Sequence, residues 1–334
     1  MMNGSPTNPS PTAASLTRPR RRRLRSAGLA LLPVFLGLAA CGPTESGEVD
    51  GAGMAEGSAT QAGSAAGQAS AAQESPRIYG SFHFAESCSY DPSRDLYVAP
   101  NLANRGPGNE NDGFVSLINP DGTVNTLRWI EGSEDGPTLD NPLGSDIVDG
   151  VFYVADANNI RSFDLETGEH VETVTVDGAT GFNDIEVAED GTIYATQTRA
   201  PERVYRVDPD GSSSIFVDGS PLSAPNGVAF DPQGNIVVVN VESADVLTFS
   251  PEGELLRTEQ AHDPGNDGLV IMPDGTKYVS SVRNGTVGVI PPDGEAEVIA
   301  TDIPSAASMC YDPTRNRLIV PMNAWNALAF VDLN

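Results

Sequence analysis

Short apolar runs alternate with polar turn signals along the chain from Arg77 onward. One such stretch reads "GVAFD", "DPQGN", "IVVVN", "DVLTFS" and "PEGE", which is a strand, a turn, a strand, a strand after a loop, and a turn. No stretch carries the period of about 3.6 residues that marks an amphipathic helix. The pattern therefore predicts an all-β fold built from short antiparallel strands.

The alternation repeats at a nearly fixed spacing. An apolar triplet follows a turn six times, beginning at residues 96, 152, 193, 236, 277 and 318, so the spacings are 56, 41, 43, 41 and 41 residues. Four strands in about 40 residues form one blade of a β-propeller. The sequence predicts a six-bladed β-propeller with four antiparallel strands per blade.

The two ends of the repeating region are complementary. The last unit stops at Asn334 without a fourth strand, whereas the stretch "RIYGSFHF", residues 77–84, reads as a strand that belongs to no unit. Pairing the two would leave no open sheet edge. We therefore predict that this N-terminal strand closes the last blade.

The segment before the repeats has the layout of an export signal. A basic cluster from Arg18 to Arg25 precedes an apolar run from Ala27 to Ala40, which is too short to span a bilayer of about 30 Å as a helix. The run ends in "LAAC", which resembles a bacterial lipoprotein signal, and the resemblance implies lipidation of Cys41. The alternative is an ordinary secretory signal followed by a chance cysteine.

These features divide the chain into three parts. We predict a signal peptide over residues 1–40, a flexible tether rich in Gly, Ser and Ala over 41–76, and the propeller over 77–334. The expected location is the periplasm or the cell surface, with the protein anchored to a membrane through Cys41. Which membrane carries the anchor is left open.

The predicted mature chain is strongly acidic. All 46 acidic residues follow Ala40, while six of the 19 basic residues lie in the signal, so the charge is 13 minus 46, or −33. This charge argues against nucleic acid as a partner, and we expect a monomer that acts on a small molecule. The chain has a single lysine, Lys277, and either adaptation to high salt or a base-composition bias against lysine would explain this.

Two cysteines lie in the predicted propeller, Cys88 and Cys310. Export would permit a disulfide between them. Each sits in an apolar strand, however, and the sequence favours two buried free thiols.

Counting ten residues back from each apolar triplet gives one polar residue per blade. The offset yields Glu86, Asn183, Asn226, Asp267 and Ser308, and aligning "SDI" with "NDI" adds Ser145 in the second blade. First strands line the channel of a propeller, so we predict that these six residues form a ring at its mouth. A single Asn-Gly pair such as Asn226 and Gly227 also reads as a turn, and only the shared register favours the ring.

The predicted ring contains only oxygen donors and no basic residue. Converging carboxylates and carboxamides lose hydration and repel one another unless a cation binds. Oxygen ligands favour Ca²⁺, with Mg²⁺, Mn²⁺ or Zn²⁺ as alternatives. Asp146 and Asp184, each next to a ring residue, would support the ligands from a second layer.

Four strand-turn-strand motifs carry a family resemblance: "AESCSYDPSRDLYVAPN", "GFNDIEVAEDGTIYATQT", "PNGVAFDPQGNIVVVN" and "NDGLVIMPDGTKYVSS". They resemble the SMP-30/gluconolactonase family of six-bladed propellers, and the "NDI" and "YAT" elements are shared with paraoxonase-like lactonases. The resemblance covers most of residues 77–334.

The resemblance implies a function and a set of ligands. It implies that Glu86, Asn226 and Asp267 hold a divalent metal, with Asn183 beside it to help hold the ligand. It also implies metal-dependent opening of lactones, in which Asp267 takes the proton. The rival hypothesis is a propeller without catalysis that binds a ligand or protein through a structural metal.

Two features depart from the family pattern. Gly181 occupies the position at which sugar lactonases of the family often carry an Arg, which puts a sugar substrate in doubt. An insertion over residues 100–113 opens on the ring face and would act either as a lid, with Arg105 in place of the missing Arg, or as a disordered tip.

Overall fold

The computed structural model describes residues 76–102, 111–133 and 136–333. The predicted signal, the predicted tether, Cys41 and Arg105 lie outside these residues, so the predictions about them stay predictions. The part of the chain that is described contains no helix long and apolar enough to cross a bilayer.

In the described residues, twenty-four strands form six separate four-stranded sheets, which confirms the predicted six-bladed propeller. In the order of the strands within each sheet, blade 1 consists of β2 (Ser89–Asp91), β3 (Leu96–Asn101), β4 (Phe114–Ile118) and β5 (Val124–Glu131). Blade 2 consists of β6 (Pro142–Val148), β7 (Val151–Asp156), β8 (Asn159–Asp164) and β9 (His170–Thr175). Blade 3 consists of β10 (Ile185–Val187), β11 (Ile193–Gln197), β12 (Arg203–Val207) and β13 (Ser213–Asp218).

The second half of the ring repeats this arrangement. Blade 4 consists of β14 (Pro225–Phe230), β15 (Ile236–Asn240), β16 (Asp245–Phe249) and β17 (Leu255–Gln260). Blade 5 consists of β18 (Asn266–Ile271), β19 (Lys277–Ser281), β20 (Thr286–Ile290) and β21 (Glu297–Ala300). Blade 6 consists of β22 (Cys310–Asp312), β23 (Arg317–Met322), β24 (Ala327–Asp332) and β1 (Arg77–Gly80), with the short 3-10 helix η1 (Asn323–Trp325) between β23 and β24.

The N-terminal strand closes the last blade, as predicted. β1 pairs with β24 in antiparallel register from Arg77 opposite Phe330 to Gly80 opposite Ala327. The strand is four residues long rather than the eight expected from the sequence. The sheet edge that β24 would otherwise expose is thereby covered.

The apolar core lies between the blades rather than within one central mass. Six clusters of buried side chains each combine residues from two neighbouring blades. At the junction of blades 3 and 4, for example, Tyr194 packs edge-on against Phe230, with ring centroids 5.7 Å apart. Burial of apolar area at every junction therefore holds the blades around the channel.

Cys88 and Cys310 form a disulfide, so the prediction of two free thiols was wrong. Both cysteines belong to the apolar cluster between blades 1 and 6. The sequence placed each cysteine in an apolar strand but gave no reason to place the two strands side by side. Ring closure brings them together, with Cα atoms 5.4 Å apart, which is within the normal range for a disulfide.

Candidate metal centre

Polar side chains at the ends of the second strands form hydrogen bonds to the loops that lead into the channel. Each second strand ends at, or is directly followed by, a buried polar residue: Asn101, Asp156, Gln197, Asn240, Ser281 and Asn323. The carboxamide oxygen of Asn240 accepts a hydrogen bond from the Ser223 backbone at 2.9 Å, and that of Gln197 accepts one from the Thr180 backbone at 2.7 Å. The first strand of each blade is called its inner strand, because it lines the channel. These bonds fix the loops that precede the inner strands, and with them the start of each inner strand.

The Asn-Gly pair at 226 and 227 lies inside strand β14 and is not a turn. A Cβ atom on Gly227 would lie 2.5 Å from the backbone oxygen of Asp267, and one on Gly268 would lie 2.7 Å from the backbone nitrogen of Met309. Both distances are too short for a real contact. Glycine is required here because the inner strand of the next blade approaches closely.

Four residues of the predicted ring, which we call the quartet, lie at corresponding places where the inner strands begin: Glu86, Asn183, Asn226 and Asp267. Glu86, Asn226 and Asp267 are 2 to 4% exposed. The Nδ2 atom of Asn226 donates a hydrogen bond to Oδ2 of Asp267 at 3.2 Å. Blades 4 and 5 therefore present one carboxamide and one carboxylate in direct contact.

Ser308 and Ser145 do not lie at the level of the quartet. Pro225 pairs with Asn240 in blade 4, Ala306 with Met322 in blade 6, and Pro142 with Asp156 in blade 2. The residue that directly follows each of these pairs lies at the level of the quartet. It is Asn226 in blade 4, Ala307 in blade 6 and Leu143 in blade 2. Ser308 is thus one residue too far along its strand, and Ser145 two.

Both corrections have a physical cause in the inner hairpins. In blade 6, Asp312 pairs with Arg317 just as Asp91 pairs with Leu96 in blade 1, so the count should have begun at Arg317 rather than at Leu318. Blade 2 turns with only two residues between Val148 and Val151, which shifts the alignment of its motif.

The two serines make other contacts near the channel. The hydroxyl of Ser308 donates a hydrogen bond to Oδ2 of Asp184 at 3.0 Å. Ser145 Oγ lies 3.0 Å from Ser87 Oγ and 2.9 Å from Ser89 Oγ. Ser308 therefore supports Asp184 next to the quartet, whereas Ser145 joins blade 2 to blade 1 deeper in the channel.

Asp184 directly follows Asn183 of the quartet and is 5% exposed. Burial raises the pKa of Asp184 to about 7, although hydrogen bonds from Ser308 and from the Ile185 and Val228 backbones oppose the rise. Burial also raises the pKa of Asp267 well above its usual range, with the Asp184 carboxylate adding to the rise and the Asn226 hydrogen bond opposing it. Close carboxylates in a site of low polarity resist ionisation unless a cation compensates them.

Asp146 lies toward the opposite end of the channel. Its carboxylate accepts hydrogen bonds from the Ile147 backbone at 2.7 Å and from the Val187 backbone of blade 3 at 2.9 Å. Asp146 and Glu186 both line a cavity of about 630 Å³ at that end. Asp146 thus contacts the inner strand of the next blade instead of a quartet residue.

Among the described residues, three buried oxygens of the quartet have no hydrogen-bond partner: Oδ1 of Asn183, Oδ1 of Asn226 and Oδ1 of Asp267. Buried polar atoms are nearly always satisfied, so three unsatisfied acceptors from three successive blades require an explanation. Within the described residues no three His, Cys, Asp or Glu side chains form a metal site by themselves. The donor set fits a hard divalent cation only when the asparagine oxygens are included.

Solved structures with this architecture carry different activities. A gluconolactonase from Xanthomonas campestris matches with a TM-score of 0.61 and 22% identity over 78% of this chain and 90% of that one. A catalytically inactive variant of virginiamycin B lyase from Staphylococcus aureus, solved with quinupristin, matches with a TM-score of 0.54 and 13% identity over 78% of this chain and 100% of that one. At these identities the likeness establishes the fold alone.

Comparison by sequence identifies the family. A search of curated proteins gave no match. The family model described as the SMP-30/gluconolactonase/LRE-like region matches residues 121–322, which is more than half of the chain and includes three residues of the quartet. The protein therefore belongs to the SMP-30/gluconolactonase/LRE-like family.

Proposed function

We propose that this protein hydrolyses lactones or esters with the help of a divalent cation, Ca²⁺ in the first instance, held by the quartet. The observation that carries the proposal is the set of three unsatisfied buried oxygens, from Asn183, Asn226 and Asp267. Glu86 supplies a second buried carboxylate from blade 1. When bound, the cation would polarise a carbonyl group and lower the pKa of a water molecule beside it.

Two side chains of the quartet, Asn226 and Asp267, have separate roles in the proposed reaction. Asn226 holds Oδ2 of Asp267 through its hydrogen bond, which leaves Oδ1 of Asp267 free to face a ligand. We assign to Asp267 the proton that the attacking water loses. The water oxygen adds to the carbonyl carbon, the bond between that carbon and the ring oxygen breaks, and Asp267 returns its proton to the ring oxygen to give a hydroxy acid.

Metal binding and turnover test the proposal separately. Calorimetric titration of the chelator-treated protein with Ca²⁺ should show one site, and Asn226→Ala should weaken it by about tenfold or more. Gln233→Ala is a matched control, since Gln233 lies exposed in the turn of the same blade. A panel of lactones and esters is then assayed with and without chelator. Absence of a metal site in the wild-type protein would refute the proposal.

The second candidate is a ligand-binding propeller in which the same cation has a structural role. The three unsatisfied oxygens suit a structural cation equally well, and the fold alone does not determine a reaction. Binding of Ca²⁺ together with no metal-dependent turnover across the panel would establish this second function in place of the hydrolase.

Membrane anchoring is part of the proposal and rests on the sequence "LAAC" before Gly42. The Cys88–Cys310 disulfide supports export, since such bonds persist in oxidising compartments. Cells that express the full chain should incorporate labelled palmitate into the protein, and Cys41→Ser should abolish the label. Unlabelled wild-type protein in the soluble fraction would overturn the anchor without affecting the proposed reaction.

A further inference from the structure

Trp325 is the most exposed large apolar side chain of the described residues, at 64%. The other exposed large apolar side chains in that part of the chain all lie on outer, fourth strands: Ile78, Leu127, Val171, Ile215, Leu255 and Leu256. Trp325 instead belongs to the helix η1, in the connection between β23 and β24. Its position therefore calls for an explanation other than the ordinary outer surface of a blade.

The connection that carries Trp325 lies at the end of the channel where the quartet lies. Met322, which directly precedes η1, pairs with Ala306 at the start of the inner strand of blade 6. The Ala307 backbone donates to the carbonyl oxygen of Pro321 at 2.8 Å. Since Ala307 holds the quartet position in blade 6, Trp325 stands on the face that presents Asn226 and Asp267.

Hydrogen bonds fix this connection to the segment that leads to Glu86. Asn326 follows Trp325 in the left-handed conformation, with φ 53° and ψ 44°. Its side-chain oxygen accepts a hydrogen bond from the Phe84 backbone at 2.8 Å, and its carbonyl oxygen accepts one from the Phe82 backbone at 3.4 Å. The exposed indole therefore projects from a fixed segment, which suits it for contact with a ligand.

The quartet offers no basic side chain to pair with an anionic group of a substrate. The quartet has two carboxylates and no basic residue, and the chain as a whole carries a formal charge of −27. At Gly181, two residues before Asn183, a Cβ atom would meet nothing within 4 Å, so that side of the site is open. An anionic substrate group would find no basic quartet side chain to pair with in a chain that is acidic overall, whereas a neutral group needs none.

We propose that Trp325 forms an apolar wall of the substrate site, and that the substrate is a neutral lactone or ester with an alkyl or aryl substituent. This inference deepens the proposed hydrolase and rests on it. The indole offers a flat apolar surface to the substituent, while the quartet faces the carbonyl group.

Two lactones that share one ring test the wall by activity. δ-Decalactone carries a pentyl chain that δ-valerolactone lacks. Trp325→Ala should lower kcat/KM for δ-decalactone by about tenfold and change kcat/KM for δ-valerolactone by less than about twofold. Trp325→Phe should retain most of the activity on δ-decalactone. Leu256→Ala, an exposed apolar residue on β17, is the control and should affect neither substrate.

Fluorescence tests the wall without turnover. The chain has two tryptophans, and Trp129 packs against Phe152 with ring centroids 6.3 Å apart, so Trp129→Phe keeps an aromatic contact there. In that variant all tryptophan emission comes from Trp325. Titration with 2-pentyltetrahydropyran, which has the ring and chain but no carbonyl group, should shift the emission to the blue as the indole becomes covered.

The outcomes separate the wall from the reaction. If the wild-type protein hydrolyses both lactones and Trp325→Ala changes their ratio by less than about twofold, the wall is wrong and the hydrolase stands. If neither lactone reacts, the hydrolase fails, and the emission of Trp325 decides by itself whether the indole binds an apolar ring. Loss of a dimer in Trp325→Ala, measured by light scattering, would assign the indole to contact between copies and overturn the wall.

Discussion

Thr196 Oγ1 donates a hydrogen bond of 2.6 Å to the backbone oxygen of Asn226, although the two residues belong to different blades. Blades 5 and 6 repeat the arrangement, because Ser280 Oγ donates to the backbone oxygen of Ala307 at 2.8 Å. A hydroxyl on the second strand of one blade thus fixes the quartet level of the next. The position of Asn226 is set by its neighbour as well as by its own strand.

Removing the hydroxyl of Thr196 should destabilise the protein and displace Asn226. Thr196→Val keeps the shape of the side chain but leaves a buried carbonyl unsatisfied, which costs about 1 to 3 kcal/mol. Urea unfolding of the chelator-treated protein measures this loss, and Ca²⁺ titration should show weaker binding. Thr196→Ser retains the donor and should stay close to wild type. Equal stability of the valine and serine variants would show that the bond contributes nothing.

Adding a methyl group at Gly227 should force blades 4 and 5 apart. The new Cβ atom of Gly227→Ala would lie 2.5 Å from the Asp267 backbone oxygen, so the midpoint of thermal unfolding should fall by an amount equivalent to about 1 to 3 kcal/mol. Gly80→Ala is the control, because its Cβ atom would be 3.8 Å from the nearest neighbour, Asn326. A Gly227→Ala variant as stable as Gly80→Ala would contradict the close approach.

The disulfide should stabilise the ring by closing a long loop. Cys88 and Cys310 are 222 residues apart in sequence, and loss of such a bond costs about 2 to 5 kcal/mol. The double variant Cys88→Ser and Cys310→Ser should therefore unfold at a lower denaturant concentration than the oxidised wild type. Reduced wild-type protein serves as the comparison and should resemble the double variant. Identical midpoints for oxidised and reduced wild type would exclude a stabilising role.

Glu186 should make the chelator-treated protein less stable as the pH rises. Burial raises the pKa of Glu186 well above its ordinary value of 4.5, and the carboxylates of Asp146 and Asp184 raise it further. The folded state thus favours the protonated form, so this stability is complete below pH 4.5 and is lost as the pH rises through the folded-state pKa.

Glu186→Gln keeps the side chain neutral and should flatten the decline in unfolding free energy between pH 5 and pH 8. Exposed Glu189 on the same blade provides the control variant Glu189→Gln, which should keep the wild-type slope. If the slope of Glu186→Gln equals that of wild type over this range, the carboxylate at 186 is not the cause of the decline.

The blade count and its closure could be predicted because both depend on local periodicity. Triplets about 41 residues apart and one strand without a unit were sufficient, and the pairing of β1 with β24 follows from them. The polar residue that ends each second strand, such as Asn240 in "IVVVN", was also visible in the sequence. Its hydrogen bond to the loop before the inner strand was missed, because the sequence pattern does not show which backbone group the side chain contacts.

Register within each blade was harder to predict, because hairpin length varies among the blades. A two-residue turn after Val148 moved Ser145 away from the quartet. In blade 6 the second strand begins at Arg317, one residue before the counted triplet, so the count reached Ser308 instead of Ala307. The disulfide depends on contacts between blades, which no count along one strand reveals. That Glu86, Asn183, Asn226 and Asp267 act as metal ligands stays a prediction.

The covalent bond between blades 1 and 6 also determines how tension would pass through the molecule. A force that separates the two ends of the folded chain would first peel β1 from β24. It would then run from the segment after β1 through Cys88 and Cys310 directly into β22, because those cysteines are joined. Blades 1 to 5 lie within the closed loop and outside this path, so pulling on the two ends of the described chain would leave their sheets unloaded.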